Sequence, residues 1–142
     1  MAINRLKVEA YNVTVKLQAD SRTPYLSITA CGVDHVAVNG RKLQRSLLLL
    51  PEYLDENWGP ASFAALTQAH IEILAHTSCD VLLLGTGQRQ YFPPPALLRP
   101  IYETGRGVEI MDTPAACRTY NLLVAEGRLA CAALIIEGNG AA

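Results

Sequence analysis

The chain has 142 residues, of which 50% are hydrophobic and 18% are charged, whereas the usual charged share is about 25%. Its 12 Lys and Arg against 13 Asp and Glu give a net charge of -1, which removes the electrostatic basis for binding nucleic acid or an anionic membrane surface. A chain of this length is expected to form one domain with its own core.

No segment is predicted to cross a bilayer or to direct secretion. The longest uncharged apolar stretch, 129–136, has the length of a strand, whereas a spanning helix needs about 20 apolar residues. The first residues are not followed by the apolar stretch of a secretory signal. We therefore expect a cytoplasmic protein without membrane insertion. Its predicted parts are a partly disordered N-terminal extension (1–22), a single domain (23–137) and a tail (138–142).

The domain is predicted to begin with a β-hairpin. Residues 25–31 and 35–38 alternate polar and apolar side chains, as half-buried strands do. Asn39-Gly40 supplies the residue pair that a type I′ turn requires. The return strand is predicted over 42–50 and ends in four leucines before Pro51, a run typical of a strand that is buried on both faces.

A polar loop is predicted over 52–60, and it carries the only tryptophan, Trp58. We interpret Trp58 as packing the loop against the domain, with contact to a partner as the alternative. The sequence does not decide whether strand 42–50 is central in a sheet or an edge open to a second copy. A weak homodimer is therefore left open.

Helices and strands are predicted to alternate through the rest of the domain. Thr67 is the predicted cap of the first helix. The second helix is expected to be irregular or kinked near residues 96–100, because Pro100 lies inside it. The predicted elements are a helix at 68–76, a strand at 81–84, a helix from 95 to about 104 ending at Gly105, a strand at 108–111, a helix from Asp112-Thr113-Pro114 to Gly127, and a strand at 129–136. This order predicts an α/β fold: a single three-layer domain with a central mixed β-sheet.

Two loops follow the predicted parallel strands, where open α/β sheets bind ligands. The first begins at Gly85-Thr86-Gly87, and the second begins at Asp112. The first fails the dinucleotide fingerprint because Gln90 stands at the third glycine position, and the chain has no lysine after Lys42 to serve as a Walker lysine. The alternative for both glycines is a turn that needs positive φ.

The side chains of Arg89, Arg118 and Arg128 have two interpretations. They bind an anion together with the amides at the start of the helix near Thr113, or they are solvated or paired with Asp112 and Glu126. Asp112 favours the second interpretation, because its carboxylate would itself occupy the positive end of the helix.

The cysteines form no C-x-x-C pair, and no metal site or cofactor is predicted. We expect Cys31, Cys79, Cys117 and Cys131 to be buried free thiols that act as small hydrophobes. Cys117 is the best-placed nucleophile, because it lies in the first turns of a helix beside Arg118, where its pKa would be lowered. Burial of Cys117 as a structural residue is the alternative.

Two blocks of sequence, 81–95 and 107–121, resemble a known family. This family is a small domain of unknown function that is a stand-alone cytoplasmic protein in bacteria. In mitochondria it is the assembly factor family for respiratory complex I, the NADH dehydrogenase, and it has an adipogenesis-associated branch. The resemblance covers about residues 25–137 and implies a three-layer α/β fold without an assigned catalytic residue. Its signature falls on Gly85, Thr86, Gly87, Pro93, Pro94, Asp112, Thr113, Ala116, Arg118, Thr119, Tyr120 and Asn121.

We expect a non-enzymatic binding or assembly module with a protein partner, which the resemblance implies to be part of a respiratory or other membrane complex. The motif residues offer hydroxyls, an amide and an arginine but no acid–base pair. The predicted binding surface comprises Gly85, Thr86, Gly87, Arg89, Pro93, Pro94, Asp112, Thr113, Cys117, Arg118, Thr119, Tyr120 and Asn121.

The alternative is a small-molecule enzyme. Its pocket would lie between Gly85-Thr86-Gly87 and the helix start at 113–121, with Cys117, Arg118 and Tyr120 as participants. The high apolar content of the chain also allows for apolar side chains on the surface. If such side chains are exposed near Tyr91-Phe92 or near Trp58, they form the predicted partner surface.

Overall fold

The computed structural model describes residues 25–138 and arranges them as two β-sheets and three α-helices. The smaller sheet contains β1 (Ile28–Cys31), β2 (Val36–Val38) and β3 (Arg41–Leu43), paired antiparallel in that order. Asn39 and Gly40 join β2 to β3 with φ angles of 47° and 85°. This left-handed pair confirms the predicted hairpin turn.

The return strand predicted over 42–50 is broken, so that prediction was wrong. After β3 the chain leaves the small sheet, and β4 (Leu47–Leu50) begins in a different one. Ser46 lies buried at the break, where its hydroxyl accepts a hydrogen bond from the amide of Ile136 at 2.9 Å and donates one to the carbonyl of Pro60. These partners are distant in sequence, so the local pattern of alternation did not reveal the break.

The larger sheet has five strands and is mixed. Its further members are β5 (Tyr53–Asp55), β6 (Val81–Gly85), β7 (Glu109–Met111) and β8 (Ala130–Leu134), in the spatial order β5-β4-β8-β6-β7. β8, β6 and β7 are mutually parallel, whereas β4 runs antiparallel to both β5 and β8. The four-leucine strand is therefore central in the sheet and is not an edge.

The loop predicted over 52–60 contains a strand, β5, which the sequence analysis missed. β5 lies at the edge of the sheet and pairs with β4, to which a tight turn connects it. Tyr53 and Leu54 are 2% and 1% exposed. Backbone pairing and burial outweigh the polar composition of this segment. Trp58, farther along, is buried and donates from Nε1 to the carbonyl of His70 at 3.2 Å, which agrees with its interpretation as the anchor of the segment.

The three α-helices fall where they are predicted. They are α1 (Gln68–Ala75), α2 (Pro95–Tyr102) and α3 (Thr113–Ala125). Gly105 and Gly127, the predicted stops of α2 and α3, have φ angles of 84° and 80°, as expected of glycines that follow helices.

The core has one hydrophobic cluster on each face of the larger sheet. Leu47 and Leu49 of β4 pack with α3 and with the small sheet, while Leu48 and Leu50 pack with α1 and α2. The alternation has the period of a strand that is buried on both sides. Three layers result, which confirms the predicted α/β fold with a central mixed sheet.

The predicted extension over 1–22 lies outside the described residues, as does nearly all of the predicted tail. Within residues 25–138, no helix has both the length and the apolar character needed to span a bilayer.

Candidate functional site

The two signature loops meet at what we call the strand-end junction, formed by Gly85-Thr86-Gly87, the start of α3 and Ile135. The amide of Thr113 donates to the carbonyl of Gly87 at 2.7 Å, and the amide of Gly87 donates to Thr113 Oγ1 at 2.9 Å. Thr113 Oγ1 in turn donates to the carbonyl of Ile135 at 2.8 Å. One buried hydroxyl therefore ties together the segments that follow β6, β7 and β8.

The glycines of the junction have different reasons for being glycine. Gly87 has a φ of 109°, so it requires the positive φ that the turn interpretation predicted. Gly85 lies in the strand without this requirement. A Cβ on Gly85 would lie 2.9 Å from Thr113 Oγ1 and 3.0 Å from Thr113 Cα. Gly85 is therefore required by the close approach of α3 to the sheet.

Thr86 organises the loop that follows β6. It is fully buried, its amide donates to the carbonyl of Met111 at 2.9 Å, and its Oγ1 donates to the carbonyl of Arg89 at 2.6 Å. The same oxygen accepts a hydrogen bond from the amide of Tyr91 at 3.1 Å. The side chain of Gln90 adds a bond from Nε2 to the carbonyl of Ile110 at 3.0 Å. The loop is thereby fixed up to the aromatic residues that end it.

The two loops, between which the enzyme hypothesis predicted a pocket, are in direct contact at Gly87 and Thr113. Gly87 and Thr113 exchange two hydrogen bonds there, and Ala116 lies against the space beside Gly85. Two residues that were predicted to line the pocket, Gly87 and Thr113, are thus bonded to each other. Within residues 25–138, no group of three or more His, Cys, Asp or Glu is placed to hold a metal ion.

The helix start does not offer an open anion site. Asp112 is the N-cap of α3, and its carboxylate accepts a hydrogen bond from the amide of Ala115 at 2.8 Å. Arg89, Arg118 and Arg128 are exposed. In the described part of the chain, none of these three arginines forms an ion pair. Asp112 therefore occupies the helix end as expected, and binding of an anion by these arginines stays a prediction.

Cys117 is a poor nucleophile in this setting. It is 2% exposed, and burial, helped by the neighbouring thiol of Cys31, raises the pKa of Cys117 far above its usual range. Desolvation disfavours the thiolate and outweighs the effect of Arg118. Two cysteines differ from the prediction that all would be buried, since Cys31 is exposed and Cys79 is half-buried.

Two further signature residues of α3, Tyr120 and Asn121, hold the small sheet and the residues that precede it. Tyr120 is fully buried and donates from its hydroxyl to the carbonyl of Leu26 at 2.8 Å. Burial raises the pKa of Tyr120 well above its usual range. Asn121 accepts from the amide of Ile28 at 2.9 Å and donates to the carbonyl of Ile28 at 2.7 Å. Its side-chain amide pairs with the outer edge of β1 as a neighbouring strand would. Thr119 does not contact the small sheet in these bonds, since its hydroxyl donates to the carbonyl of Ala115 in the same helix and to the sulfur of Met111 in β7.

Of the predicted surface, Arg118 is exposed on α3, and the other exposed residues, Arg89 and Pro94, lie in the loop that follows β6. Pro93 is buried, whereas Pro94 is exposed. Tyr91 and Phe92 are 43% and 71% exposed, and the ring of Tyr91 stacks on Phe63 with centroids 5.0 Å apart. We call Phe63, Tyr91 and Phe92 the aromatic patch. Of the two locations predicted for an apolar surface, the structure exposes this one and buries Trp58.

Arg106 is a residue whose role the sequence analysis missed. Its guanidinium donates to the carbonyls of Leu74, Ala75 and Thr77 at 2.9, 3.0 and 2.7 Å, and it lies 3.4 Å from Cys79 Sγ. It therefore caps the C-terminus of α1, where a cation is favourable. Because α1 ends some 30 residues earlier in the chain, no local pattern around Arg106 signals this contact.

Comparison with known proteins supports the resemblance found in the sequence. The chain matches the family described as a protein of unknown function, DUF498/DUF598, over residues 28–135. NADH dehydrogenase (ubiquinone) 1 alpha subcomplex assembly factor 3 of Bos taurus is 34% identical over 107 residues, which cover 74% of this chain and 58% of that protein. The chain thus spans little more than half the length of this relative.

Solved structures share the fold. A Bordetella parapertussis protein is 37% identical with a TM-score of 0.74, and the match covers 80% of this chain and 98% of that one. A Bordetella pertussis protein described as a Mth938-like domain is 32% identical with a TM-score of 0.68, covering 84% and 91%. The chain belongs to the DUF498/DUF598 family of proteins of unknown function and has its Mth938-like fold.

Proposed function

We propose that this chain is a non-enzymatic binding module that acts in the cytoplasm and helps to assemble a respiratory membrane complex through the aromatic patch. The named assembly-factor relatives support the role. The single observation that carries the location is the exposure of Phe92, at 71%, on a loop whose backbone is held in place.

The aromatic patch has the properties of a preformed binding surface. Exposed aromatic side chains supply much of the contact energy where proteins associate. The hydrogen bonds from Thr86 and Gln90 fix the loop before a partner arrives. A fixed loop loses less conformational entropy on binding, so the same contacts give a higher affinity.

The charges around the patch indicate the chemistry of the partner. Between Asp80 and Glu103 the only charged residues are Arg89 and Arg99, and both are exposed. Glu137 is exposed, and its carboxylate approaches Gly87. The complementary partner is a protein segment with apolar side chains flanked by carboxylates, because opposite charges steer association and set its register.

The remaining signature residues have a supporting role in this proposal. Thr86, Thr113, Tyr120 and Asn121 are committed to hydrogen bonds inside the domain. They position the loop and the small sheet, and the exposed residues Arg89, Pro94, Tyr91 and Phe92 make the contact.

Complementation of a deletion strain tests the proposal. The gene is removed from the native host, and assembled NADH dehydrogenase is measured in membranes by native electrophoresis and by NADH oxidation with a quinone acceptor. We expect assembly to fall in the deletion strain and to return with the wild-type gene. Phe92→Glu should fail to restore it, although a substitution at so exposed a position leaves the fold intact.

Leu122→Glu is the matched control, because Leu122 is another exposed apolar side chain, at 60%, on α3 outside the patch. It should restore assembly fully. Full restoration by Phe92→Glu would reject the patch as the binding surface. An unchanged level of the complex in the deletion strain would reject the assembly role itself.

A further inference from the structure

A small cleft at the end of α1 is lined by an arginine and a thiol, and a second, buried thiol neighbours the first. The cleft has a volume of about 230 Å³ and is lined by Ala75, His76, Thr77, Ser78, Cys79 and Arg106. Cys79 lines the cleft and is half-buried. Cys131 of β8 is fully buried, and its thiol neighbours the thiol of Cys79 closely enough to lower the pKa of Cys79.

The guanidinium of Arg106 is held against Cys79 by bonds that do not involve the thiol. Nη2 donates to the carbonyls at the end of α1, Nη1 donates to Thr77, and the same Nη1 lies 3.4 Å from Cys79 Sγ. The neighbouring thiol of Cys131 and, to a smaller extent, the fixed positive charge of Arg106 both stabilise a thiolate at Cys79. Together they lower the pKa of Cys79 against the opposing effects of burial and of Asp80.

We propose that Cys79 is a reactive thiol that is oxidised by hydrogen peroxide, and that Cys131 resolves the product by forming a Cys79–Cys131 disulfide. The cleft admits a small hydroperoxide to Cys79. The full burial of Cys131 leaves the oxidised Cys79 sulfur as its accessible reaction partner. This modification site is independent of the aromatic patch and of the proposed assembly role.

The reaction proceeds in two balanced steps. The Cys79 thiolate attacks one peroxide oxygen, the O–O bond breaks, and the departing hydroxide takes a proton to leave as water, so that Cys79 becomes a sulfenic acid. The Cys131 sulfur, losing its proton, then attacks the Cys79 sulfur. The S–O bond breaks, and a second water leaves. Two thiols lose two protons and two electrons, and one hydrogen peroxide is reduced to two waters.

The chain contains a matched control pair. Cys31 is exposed and contacts the buried thiol of Cys117, so an accessible thiol is again paired with a buried one. In the described part of the chain, no guanidinium donates a hydrogen bond to Cys31. If exposure decided reactivity, Cys31 would react first. If the Arg106 site decides it, Cys79 reacts first.

The test uses the full-length, folded chain with stoichiometric hydrogen peroxide. Free thiols are alkylated at intervals, and peptide mass spectrometry follows each cysteine. We expect Cys79 to be oxidised at least about ten-fold faster than Cys31, because the thiolate is the reacting species. The product should be a Cys79–Cys131 disulfide, about 2 Da lighter than the reduced chain.

Two variants complete the test. In Cys131→Ser the reaction should stop at a Cys79 sulfenic acid, which dimedone traps, and in Arg106→Lys oxidation of Cys79 should slow severalfold. The Cys131→Ser experiment keeps the proposal falsifiable if Arg106→Lys does not fold. Faster oxidation of Cys31 than of Cys79 in the wild-type chain would overturn the proposal, as would absence of the Cys79–Cys131 disulfide or of the trapped sulfenic acid.

Discussion

Thr113→Val probes whether the strand-end junction stabilises the fold. Valine has nearly the shape of threonine, so the substitution removes the hydroxyl and leaves the packing in place. That hydroxyl donates to the carbonyl of Ile135 at 2.8 Å and accepts from the amide of Gly87 at 2.9 Å. Thr113 is 2% exposed, so water cannot replace the lost partners.

The expected loss follows from the two orphaned backbone groups. An unsatisfied buried donor or acceptor costs about 1–3 kcal/mol. The bond from the amide of Thr113 to the carbonyl of Gly87, at 2.7 Å, remains in the variant and limits opening of the junction. We therefore expect Thr113→Val to lower the free energy of unfolding by about 2–4 kcal/mol, a large share of the total for a domain of this size.

Equilibrium urea unfolding, followed by the fluorescence of the buried Trp58, measures this loss. Thr119→Val is the control, because Thr119 lies in the same helix and its hydroxyl donates only to the carbonyl of Ala115 and to the sulfur of Met111. Its cost should stay below about 1 kcal/mol, since the Ala115 carbonyl also accepts the ordinary helical bond. Equal losses in the two variants would refute the assignment of a structural role to the junction.

Three further substitutions test other contacts of the fold, at Gly85, Asn121 and His70. Gly85→Ala places a Cβ about 3.0 Å from the backbone of Thr113, so the urea midpoint should fall by the equivalent of about 1–3 kcal/mol; an unchanged midpoint contradicts the close packing. Asn121→Ala removes both bonds to Ile28, and the Ile28 amide should exchange with deuterium about ten-fold faster, while equal protection would show that β1 does not depend on Asn121. Burial lowers the pKa of His70, whose neutral ring accepts a hydrogen bond from the amide of Thr67. As the pH falls, the unfolded chain takes up the proton before the folded chain does, so the free energy of unfolding decreases as the pH falls through about 6.5. His70→Gln keeps a hydrogen-bond acceptor and should lose less of this free energy between about pH 7.5 and pH 5.5 than the wild-type chain does. An equal loss in the variant and the wild type would exclude His70 as the cause.

Local patterns predicted the parts of the fold that local physics determines. The uniform leucines of β4 indicated burial on both faces, and Asn39-Gly40 indicated the hairpin turn, because each requirement is met within a few residues. β5 was missed because its stability comes from pairing with β4. The break at Ser46 was missed because its hydroxyl bonds two distant segments.

The candidate site shows the same division. The sequence analysis placed the two signature loops next to each other, and the structure agrees, because the carboxyl ends of parallel strands share one edge of a sheet. It could not distinguish residues that hold a ligand from residues that hold the loops to each other, because threonine and asparagine serve both purposes. The environments of Arg106 and Cys79 depend on contacts between segments far apart in the chain, and composition gives no sign of them.

The position of β8 has a consequence for biosynthesis. This strand is nearly the last part of the described chain, yet it lies between β4 and β6 at the middle of the larger sheet. While the ribosome is still adding residues 113–129, β4 and β6 have no shared partner, and the apolar surfaces that β8 will cover stay open. Folding of the sheet must wait until residue 134 has left the ribosomal tunnel. We expect nascent chains shortened before β8 to be captured by chaperones or proteases, whereas shortening after residue 138 leaves the sheet complete.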